Sequence, residues 1–396
     1  MNVPLADLFI IFCAAAVIAI AVRWVPRQII PEGVALIAFG AAVGPYALNW
    51  VEPGQTITIM GNIGMGLMFL LAGYEIEPRS HFTRDGRRAA LLWLGCLGVA
   101  FLTGWLLRAA GWQNAVAANA IAIVATALGT VTPVLKARGV GPGTRLGDAV
   151  LRHGTAGQMG APIALAIILG GEGTWVSAGL LLVFLTVVAV LFAVPDLIRR
   201  RMGWLADAVR AGSKTTSQID VRIVMVVLLG MLLLTSVLGV DAVMAAFLAG
   251  VVIREAFPDP HSDLTVELEA VAFGVFIPVF LVLAGLNIDL SELVRRPWIP
   301  LLFLVANLAL RVAPVALYSR FVDGFSVSGA AQIGLYTGIG LSLVAAVTQA
   351  AVRAGTMTGP TRSALIVAAC LAVMLYSAAA GALGRREASA RVASDG

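Results

Sequence analysis

The chain alternates long apolar runs with short polar segments. Most of the apolar runs are close to the ~20 residues that a helix needs to cross a bilayer. This pattern predicts an all-α polytopic membrane protein with about thirteen transmembrane helices. The candidate spans are 5–22, 33–45, 57–74, 89–107, 115–135, 146–169, 174–198, 220–239, 241–254, 267–286, 298–318, 327–352 and 361–384.

Two of these spans contain helix-weakening residues near their middle. The first reads TALGTVTP over residues 126–133, and its Pro133 lacks a backbone donor and collides with the carbonyl four residues earlier. The second reads GLYTGIGLS over residues 334–342. We predict broken helices around Thr130–Pro133 and Gly338–Ser342, because unpaired backbone groups survive in lipid only where protein or a wet cavity covers them. The alternative is that glycine and threonine only allow close helix packing.

An internal repeat joins the two halves of the chain. LAGYEIE at Leu71–Glu77 matches LAGLNID at Leu283–Asp289 at an offset of 212, and Thr126-x-x-Gly129 matches Thr337-x-x-Gly340 at an offset of 211. Seven spans separate the two starts, so the copies run in opposite directions across the membrane, as in secondary transporters. The alternative is chance similarity between apolar segments.

The repeat divides the chain into four predicted regions. These are a first repeat of six helices with a linking seventh helix (1–198), an amphipathic cytoplasmic linker (199–219), a second repeat (220–384) and a disordered cytoplasmic tail (385–396).

Charge sets the predicted orientation and excludes several functional classes. Only 12% of the residues are charged, and the mean hydropathy is +0.94. Nineteen loop arginines and lysines lie on one predicted side and five on the other, which places the N-terminus outside and the C-terminus in the cytoplasm. The net charge of +5 therefore sets orientation and does not indicate nucleic-acid binding. We find no metalloprotease, Ser/His or acidic metal motif, and no disulfide or metal spacing among the three cysteines, so we expect neither an enzyme nor a cofactor.

Polar residues inside the spans are the candidates for binding and coupling. Arg311 lies near mid-span and needs a partner, either the carbonyl ends of the broken helices or Gln158; it acts either as a structural tether or as a functional charge. None of the thirteen spans has a carboxylate near its middle. The predicted ion- or substrate-binding residues are Thr126, Thr130, Thr132, Gln158, Thr337 and Ser342.

Three residues are candidates for coupling or charge compensation. These are Arg311, His153 and Asp148. His153 titrates in the range expected of a proton site. Asp148 and Arg152 are four residues apart on one helix, so we expect them to form an ion pair near the cytoplasmic end.

Five segments together resemble the second cation:proton antiporter family (CPA2), with its sodium/hydrogen-exchanger membrane domain. They are IIPEGVALIAFGAAVGP (29–45), GLMFLLAGYEIEP (66–78), ATALGTVTPVLKARG (125–139), LGVDAVMAAFLAGVVIRE (238–255) and FIPVFLVLAGLNIDL (276–290). The resemblance implies the sodium/proton antiporter fold, with crossed broken helices, a core domain that moves like an elevator, and a homodimer in a bacterial inner (plasma) membrane. It also implies exchange of Na⁺ or K⁺ against H⁺.

Gln158 departs from the family pattern. The resemblance matches it to an acidic residue, and Arg311 to the basic residue of the neighbouring core helix. Because glutamine does not titrate, two alternatives stay open. One is a transporter of the same fold for an anion or a neutral solute, and the other is a homologue that does not transport.

Overall fold

The structure is a computed structural model that describes residues 4–24, 31–74, 83–109, 115–136, 138–169, 219–238, 242–256 and 263–395. Its helices in the first half of the chain are α1 (Pro4–Trp24), α2 (Glu32–Val43), α3 (Gln55–Tyr74), α4 (Arg84–Ala109), α5 (Val116–Val124), α6 (Leu128–Lys136) and α7 (Arg145–Leu169).

The second half of the chain continues, within the described residues, with ten α-helices and two π-helical turns. They are α8 (Ile219–Leu238), α9 (Ala242–Ala256), α10 (Asp263–Val271), a π-helical turn (Ala272–Phe276), α11 (Ile277–Leu286), α12 (Leu290–Arg295), α13 (Trp298–Asn307), a second π-helical turn (Leu308–Val312), α14 (Ala313–Phe321), α15 (Val327–Thr337), α16 (Leu341–Arg353) and α17 (Gly359–Asp395).

These helices confirm an all-helical membrane architecture. Eight described segments are long and apolar enough to cross a bilayer, and three shorter apolar helices accompany them. Twelve of the thirteen predicted spans coincide with one helix or with a pair of consecutive helices. The remaining span, 174–198, and nearly all of the predicted linker, 199–219, lie outside the described residues.

The helices pack into two units. One comprises residues 1–53, 80–161 and 281–396, and the other comprises residues 54–79 and 162–280. Each unit draws helices from both predicted repeats. The packing units follow contacts between helices, whereas the predicted repeats follow similarity between segments of the sequence. The units therefore do not test the repeat boundaries, which stay predictions.

In the smaller unit, α3 and α9 are in backbone contact at two glycines. A Cβ on Gly73 would collide with the carbonyl oxygen of Phe247, and a Cβ on Gly250 would collide with the carbonyl oxygen of Leu70. Small residues at a helix crossing allow this close approach in membrane proteins.

The larger unit contains the same contact at repeat-related positions. In the pair α2 and α11, a Cβ on Gly285 would collide with the carbonyl oxygen of Ile37, and a Cβ on Gly40 with that of Val282. The α11 positions follow their α3 counterparts by 212 residues, and the α9 positions follow their α2 counterparts by 210. The repeat found in the sequence is therefore a structural repeat.

Both predicted helix breaks exist, and the position of the first needs correction. The chain leaves the helical conformation at residues 125–127 and again at 338–340. Pro133 lies inside α6 and does not mark the break itself. A proline disturbs the turn that precedes it, and here that turn is the first of α6, where backbone N–H groups have no partner within the helix.

The sequence predicts a disordered tail over residues 385–396, and in the structure α17 continues without interruption to Asp395. Glu387 accepts a hydrogen bond from the Ser326 hydroxyl at 2.9 Å, which ties this extension to the start of α15.

Candidate functional site

The two broken helices cross inside the larger unit, at their breaks. The Thr126 hydroxyl donates to the carbonyl oxygen of Thr337 at 2.6 Å, and the Ala127 N–H donates to the carbonyl oxygen of Ile339 at 2.8 Å. A Cβ on Gly340 would lie 2.6 Å from the Ala125 carbonyl oxygen, so the close approach requires glycine there. Each break thus satisfies backbone groups that the other has freed.

Arg311 reaches this crossing from a π-helical turn. Such turns insert a residue into a helix and are frequent at functional sites. The side chain is only 1% exposed. Its Nη2 donates to the Thr126 hydroxyl at 3.1 Å and to the His153 carbonyl oxygen at 2.8 Å, and its Nε donates to the Thr337 carbonyl oxygen at 3.4 Å.

The carbonyl ends of two half-helices compensate the charge of Arg311. Thr337 is the last residue of α15, and Thr126 follows the end of α5 by two residues. Each helix C-terminus carries roughly half a negative charge, so two that meet offset about one positive charge. These three hydrogen bonds of Arg311 go to one hydroxyl and two carbonyl oxygens, not to a carboxylate. Of the two kinds of partner predicted for Arg311, the structure provides one carbonyl end, that of Thr337, together with the Thr126 hydroxyl and the His153 carbonyl.

Gln158 caps the other half of the first broken helix. Its Oε1 accepts a hydrogen bond from the Leu128 N–H at 2.7 Å, which is the first N–H of α6. A helix N-terminus favours an electron-rich acceptor. Between these side chains, Gly157 leaves room, because a Cβ there would lie 2.5 Å from Thr126 Oγ1 and 2.9 Å from Arg311 Nη2.

Two side chains absent from the predicted set brace the end of α5. Trp93 Nε1 donates to the Val124 carbonyl oxygen at 3.1 Å, and Asn307 Nδ2 donates to the Ile123 carbonyl oxygen at 2.7 Å. Asn307 lies one turn before Arg311, so its polar character inside an apolar span was a signal available in the sequence. Trp93 gave no such signal, because tryptophan is common in membrane helices.

A charged cluster lies where α7, α4 and the turn after α14 meet. Arg152 forms ion pairs with Asp323 at 3.0 Å and with Asp85 at 3.6 Å. The buried His153 ring places Nε2 3.6 Å from Asp323 Oδ2. Burial alone would raise the pKa of Asp323, but His153 and the charge of Arg152 hold that pKa below its usual range. No sequence pattern indicated Asp323 as a partner, because it is 171 residues from Arg152.

The predicted ion pair between Asp148 and Arg152 is wrong. The exposed Asp148 accepts a hydrogen bond from the Gly143 N–H at 2.8 Å, and Arg152 points to Asp323 and Asp85 instead. Asp148 lies in the first turn of its helix, where a carboxylate satisfies the free N–H groups of the preceding loop.

The predicted binding residues separate into two groups. Thr126, Thr337 and Gln158 are buried and belong to the crossing. The other three are half-buried, and no side-chain hydrogen bond between described residues links them to the crossing: Thr130, Thr132 and Ser342.

A comparison with known families identifies the family of the chain. The family described as "Sodium/hydrogen exchanger, transmembrane" matches residues 11–382, which is nearly the whole chain. The chain belongs to this family. The predicted resemblance is therefore confirmed.

Individual relatives show the same similarity. The chain is 27% identical over 320 residues to the "Putative Na(+)/H(+) antiporter YjbQ" of Bacillus subtilis, a match that covers 75% of this chain and 50% of that protein. It is 23% identical over 330 residues to the "Probable Na(+)/H(+) antiporter 3" of Methanocaldococcus jannaschii, with 80% of this chain and 79% of that protein covered. The chain thus spans about half the length of the Bacillus relative.

A solved structure confirms the fold. The sodium proton antiporter MjNhaP1 from Methanocaldococcus jannaschii superposes with a TM-score of 0.64, over 96% of this chain and 98% of that one, at 15% sequence identity. The chain therefore has an antiporter fold with two inverted repeats and crossed, broken helices.

Proposed function

We propose that the protein is a secondary active transporter that exchanges a monovalent cation, Na⁺ or K⁺, for H⁺. The observation that carries this proposal is the crossing of two broken helices, where the Thr126 hydroxyl and the carbonyl of Thr337 offer oxygen ligands deep in the larger unit. Hard monovalent cations bind oxygen atoms of this kind. Membership of the exchanger family and the names of the relatives support the same activity.

The Thr126 hydroxyl and the Thr337 carbonyl form the niche proposed for the transported cation, and Arg311 competes with that cation for these oxygen atoms. A carbonyl oxygen has two lone pairs, and that of Thr337 already accepts from both Thr126 and Arg311. A metal cation therefore gains these ligands only when the guanidinium or the hydroxyl turns away. We infer that the guanidinium group of Arg311 and the transported cation occupy the niche alternately.

The transport cycle follows from the same arrangement. The unit that contains the crossing presents its niche to alternate sides of the membrane, with the N-terminus outside and the C-terminus in the cytoplasm. We expect a homodimer, as the resemblance to the exchanger family implies. We expect a bacterial inner membrane as its location because the chain is rich in apolar helices.

Vesicles with the purified protein test the proposal. With an imposed ΔpH, addition of Na⁺ or K⁺ dissipates the gradient in vesicles with protein and leaves it intact in vesicles without. A protein that keeps its ligand-free thermal stability and family fold but shows no dissipation with Na⁺, K⁺ or Li⁺ from pH 6 to 9 contradicts the assignment.

A second candidate function is transport of an anion or a neutral solute. The observation in its favour is the buried charge of Arg311, whose hydrogen bonds to described residues include no carboxylate. Thermal stability in chloride and in gluconate, at a constant sodium concentration, separates the two. Stabilisation that follows the anion and ignores the cation supports this second function.

A further inference from the structure

The imidazole of His153 has no part in the cation niche, because only the main-chain carbonyl of that residue bonds Arg311. The side chain is nevertheless 1% exposed, and the ring packs edge-on against Tyr318 with centroids 5.6 Å apart. Neither ring nitrogen has a hydrogen-bond partner among the described residues. A carboxylate oxygen of Asp323 lies 3.6 Å from Nε2.

The groups that face this ring make protonation both possible and conditional. Asp323 stabilises a proton on Nε2 because it would then form a charged ion pair. Arg152 on the same helix opposes the proton and shares Asp323, at 3.0 Å. Arg311 opposes it from the crossing, since its guanidinium is bonded to the carbonyl of His153 itself.

The remaining charges act through Arg152. Asp85 lies 3.6 Å from Arg152, and Arg88 lies 3.7 Å from Asp85, both on α4. The Tyr318 hydroxyl is neutral at physiological pH. The balance at the ring is therefore one carboxylate against two cations, and it changes whenever one of the cations moves.

The geometry points to the His153–Asp323 pair as the proton-binding site of this chain. The pair takes the place of a mid-membrane carboxylate, because the glutamine at position 158 does not titrate. This inference rests on the proposed function and adds the residue that carries the proton. With its hydrogen on Nδ1, the neutral imidazole accepts a proton at Nε2 from a hydronium ion, whose broken O–H bond leaves a water molecule, and the imidazolium then faces the Asp323 carboxylate. Imidazole is the side chain whose ordinary titration range includes neutral pH.

The link to the niche explains why proton and cation exclude each other. His153 contributes its carbonyl to Arg311, and Arg311 contacts both Thr126 and Thr337. A positive charge on the ring raises the potential in the niche and disfavours a metal cation there. By thermodynamic reciprocity, a bound cation disfavours the proton to the same extent.

The pH dependence of cation affinity tests this site. The full-length protein is titrated with Na⁺ and K⁺ from pH 5.5 to 9, and the thermal shift reports the apparent affinity. For one proton that competes with one cation, the wild-type affinity falls about tenfold per pH unit below the pKa of the site. We expect His153→Gln to keep the high-pH affinity and to lose most of the slope.

A comparison variant tests the other titratable side chain predicted for coupling. Asp148→Asn changes an exposed carboxylate on the same helix that accepts a hydrogen bond from the Gly143 N–H. A slope that is lost in Asp148→Asn and kept in His153→Gln assigns the proton to Asp148 and overturns the proposal. Equal slopes in wild type and His153→Gln overturn the proposal.

A readout that does not depend on transport separates this proposal from the proposed function. NMR of protein with isotope-labelled histidine follows three rings, and the signal missing in His153→Gln identifies the relevant one. We expect it to titrate between pH 5 and 9, with a midpoint that moves in Asp323→Asn. A ring that does not titrate overturns the proton site even if vesicles show exchange. A titrating ring without exchange for any monovalent cation supports the proton site and contradicts the antiporter.

Discussion

The Thr126 hydroxyl donates a 2.6 Å hydrogen bond to the carbonyl oxygen of Thr337, and these two residues occupy equivalent positions of the two repeats, 211 residues apart. Equivalent residues of two inverted copies meet only at or near the pseudo-twofold axis that relates the copies. The candidate site therefore lies where the symmetry of the fold brings both helix breaks together.

Thr126→Val tests the hydroxyl at this axis. The substitution keeps the branched shape but removes the donor to Thr337 and the acceptor for Arg311. Unsatisfied buried polar groups cost about 1–3 kcal/mol, so we expect a lower thermal midpoint and a strong loss of exchange in vesicles. Thr126→Ser keeps the hydroxyl and should retain most of both. Equal loss in Thr126→Ser would show that the methyl group matters instead.

Gly157→Ala tests the space between Thr126 and Arg311. The added Cβ would lie 2.5 Å from Thr126 Oγ1 and 2.9 Å from Arg311 Nη2, so one of the two side chains must move. Overpacking of this kind costs about 1–3 kcal/mol, and we expect reduced stability and reduced exchange.

The control for that substitution is Gly98→Ala. Gly98 lies on the exposed face of α4, and a Cβ there meets nothing within 4 Å. Alanine is the better helix former by up to ~1 kcal/mol, so the control should be neutral or slightly stabilising. If both variants behave alike, the tight contact at Gly157 contributes neither to stability nor to exchange.

Gln158→Glu tests how transport changes when a titratable carboxyl group replaces the glutamine at this position. The carboxylate can accept the same Leu128 N–H at the N-terminus of α6, where negative charge is favoured, so the variant should fold. It adds a titratable group beside the crossing, and we expect exchange to become active over a different pH range. Gln158→Leu is the companion variant, since it leaves the Leu128 N–H without this acceptor and should be destabilised by about 1–3 kcal/mol. Identical pH profiles for Gln158→Glu and wild type would remove Gln158 from the transport site.

The sequence was informative about backbone features and much less so about long-range side-chain pairs. Hydropathy located the spans, and the match of LAGYEIE to LAGLNID located the repeat, because both can be recognised in the sequence without tertiary contacts. The first break moved from Pro133 to residues 125–127, since the proline disturbs the turn before it, and tertiary hydrogen bonds decide where a half-helix begins. Helix-end polarity correctly suggested carbonyl partners for Arg311.

Ion pairs that depend on tertiary packing left no comparable pattern in the sequence. Asp148 and Arg152 have helical spacing, yet Arg152 pairs with Asp323 from another helix end. An i,i+4 pair on a surface contributes only a few tenths of a kcal/mol, so a partly buried carboxylate easily outcompetes it.

The pH dependence of stability tests the Asp323 cluster. The pKa of Asp323 is below its usual range although burial alone would raise it, because His153 and the charge of Arg152 favour the ionised form. A carboxyl group with a depressed folded-state pKa stabilises the protein above its unfolded pKa, and this contribution is lost as the pH falls through the folded value. We therefore expect Asp323→Asn to lower the thermal midpoint most at pH 6 to 7, and the difference from wild type to shrink steadily as the pH falls below about 4.

Arg152→Gln separates this effect from a purely steric one. In that background Asp323 loses the cation at 3.0 Å, so the additional effect of Asp323→Asn at neutral pH should be smaller than in wild type. The four proteins form a double-mutant cycle whose coupling should disappear at low pH, where the carboxyl group is protonated. A coupling that keeps the same size as the pH falls from 7 through the folded-state pKa of Asp323 would mean that shape, not charge, holds the turn after α14 against α7.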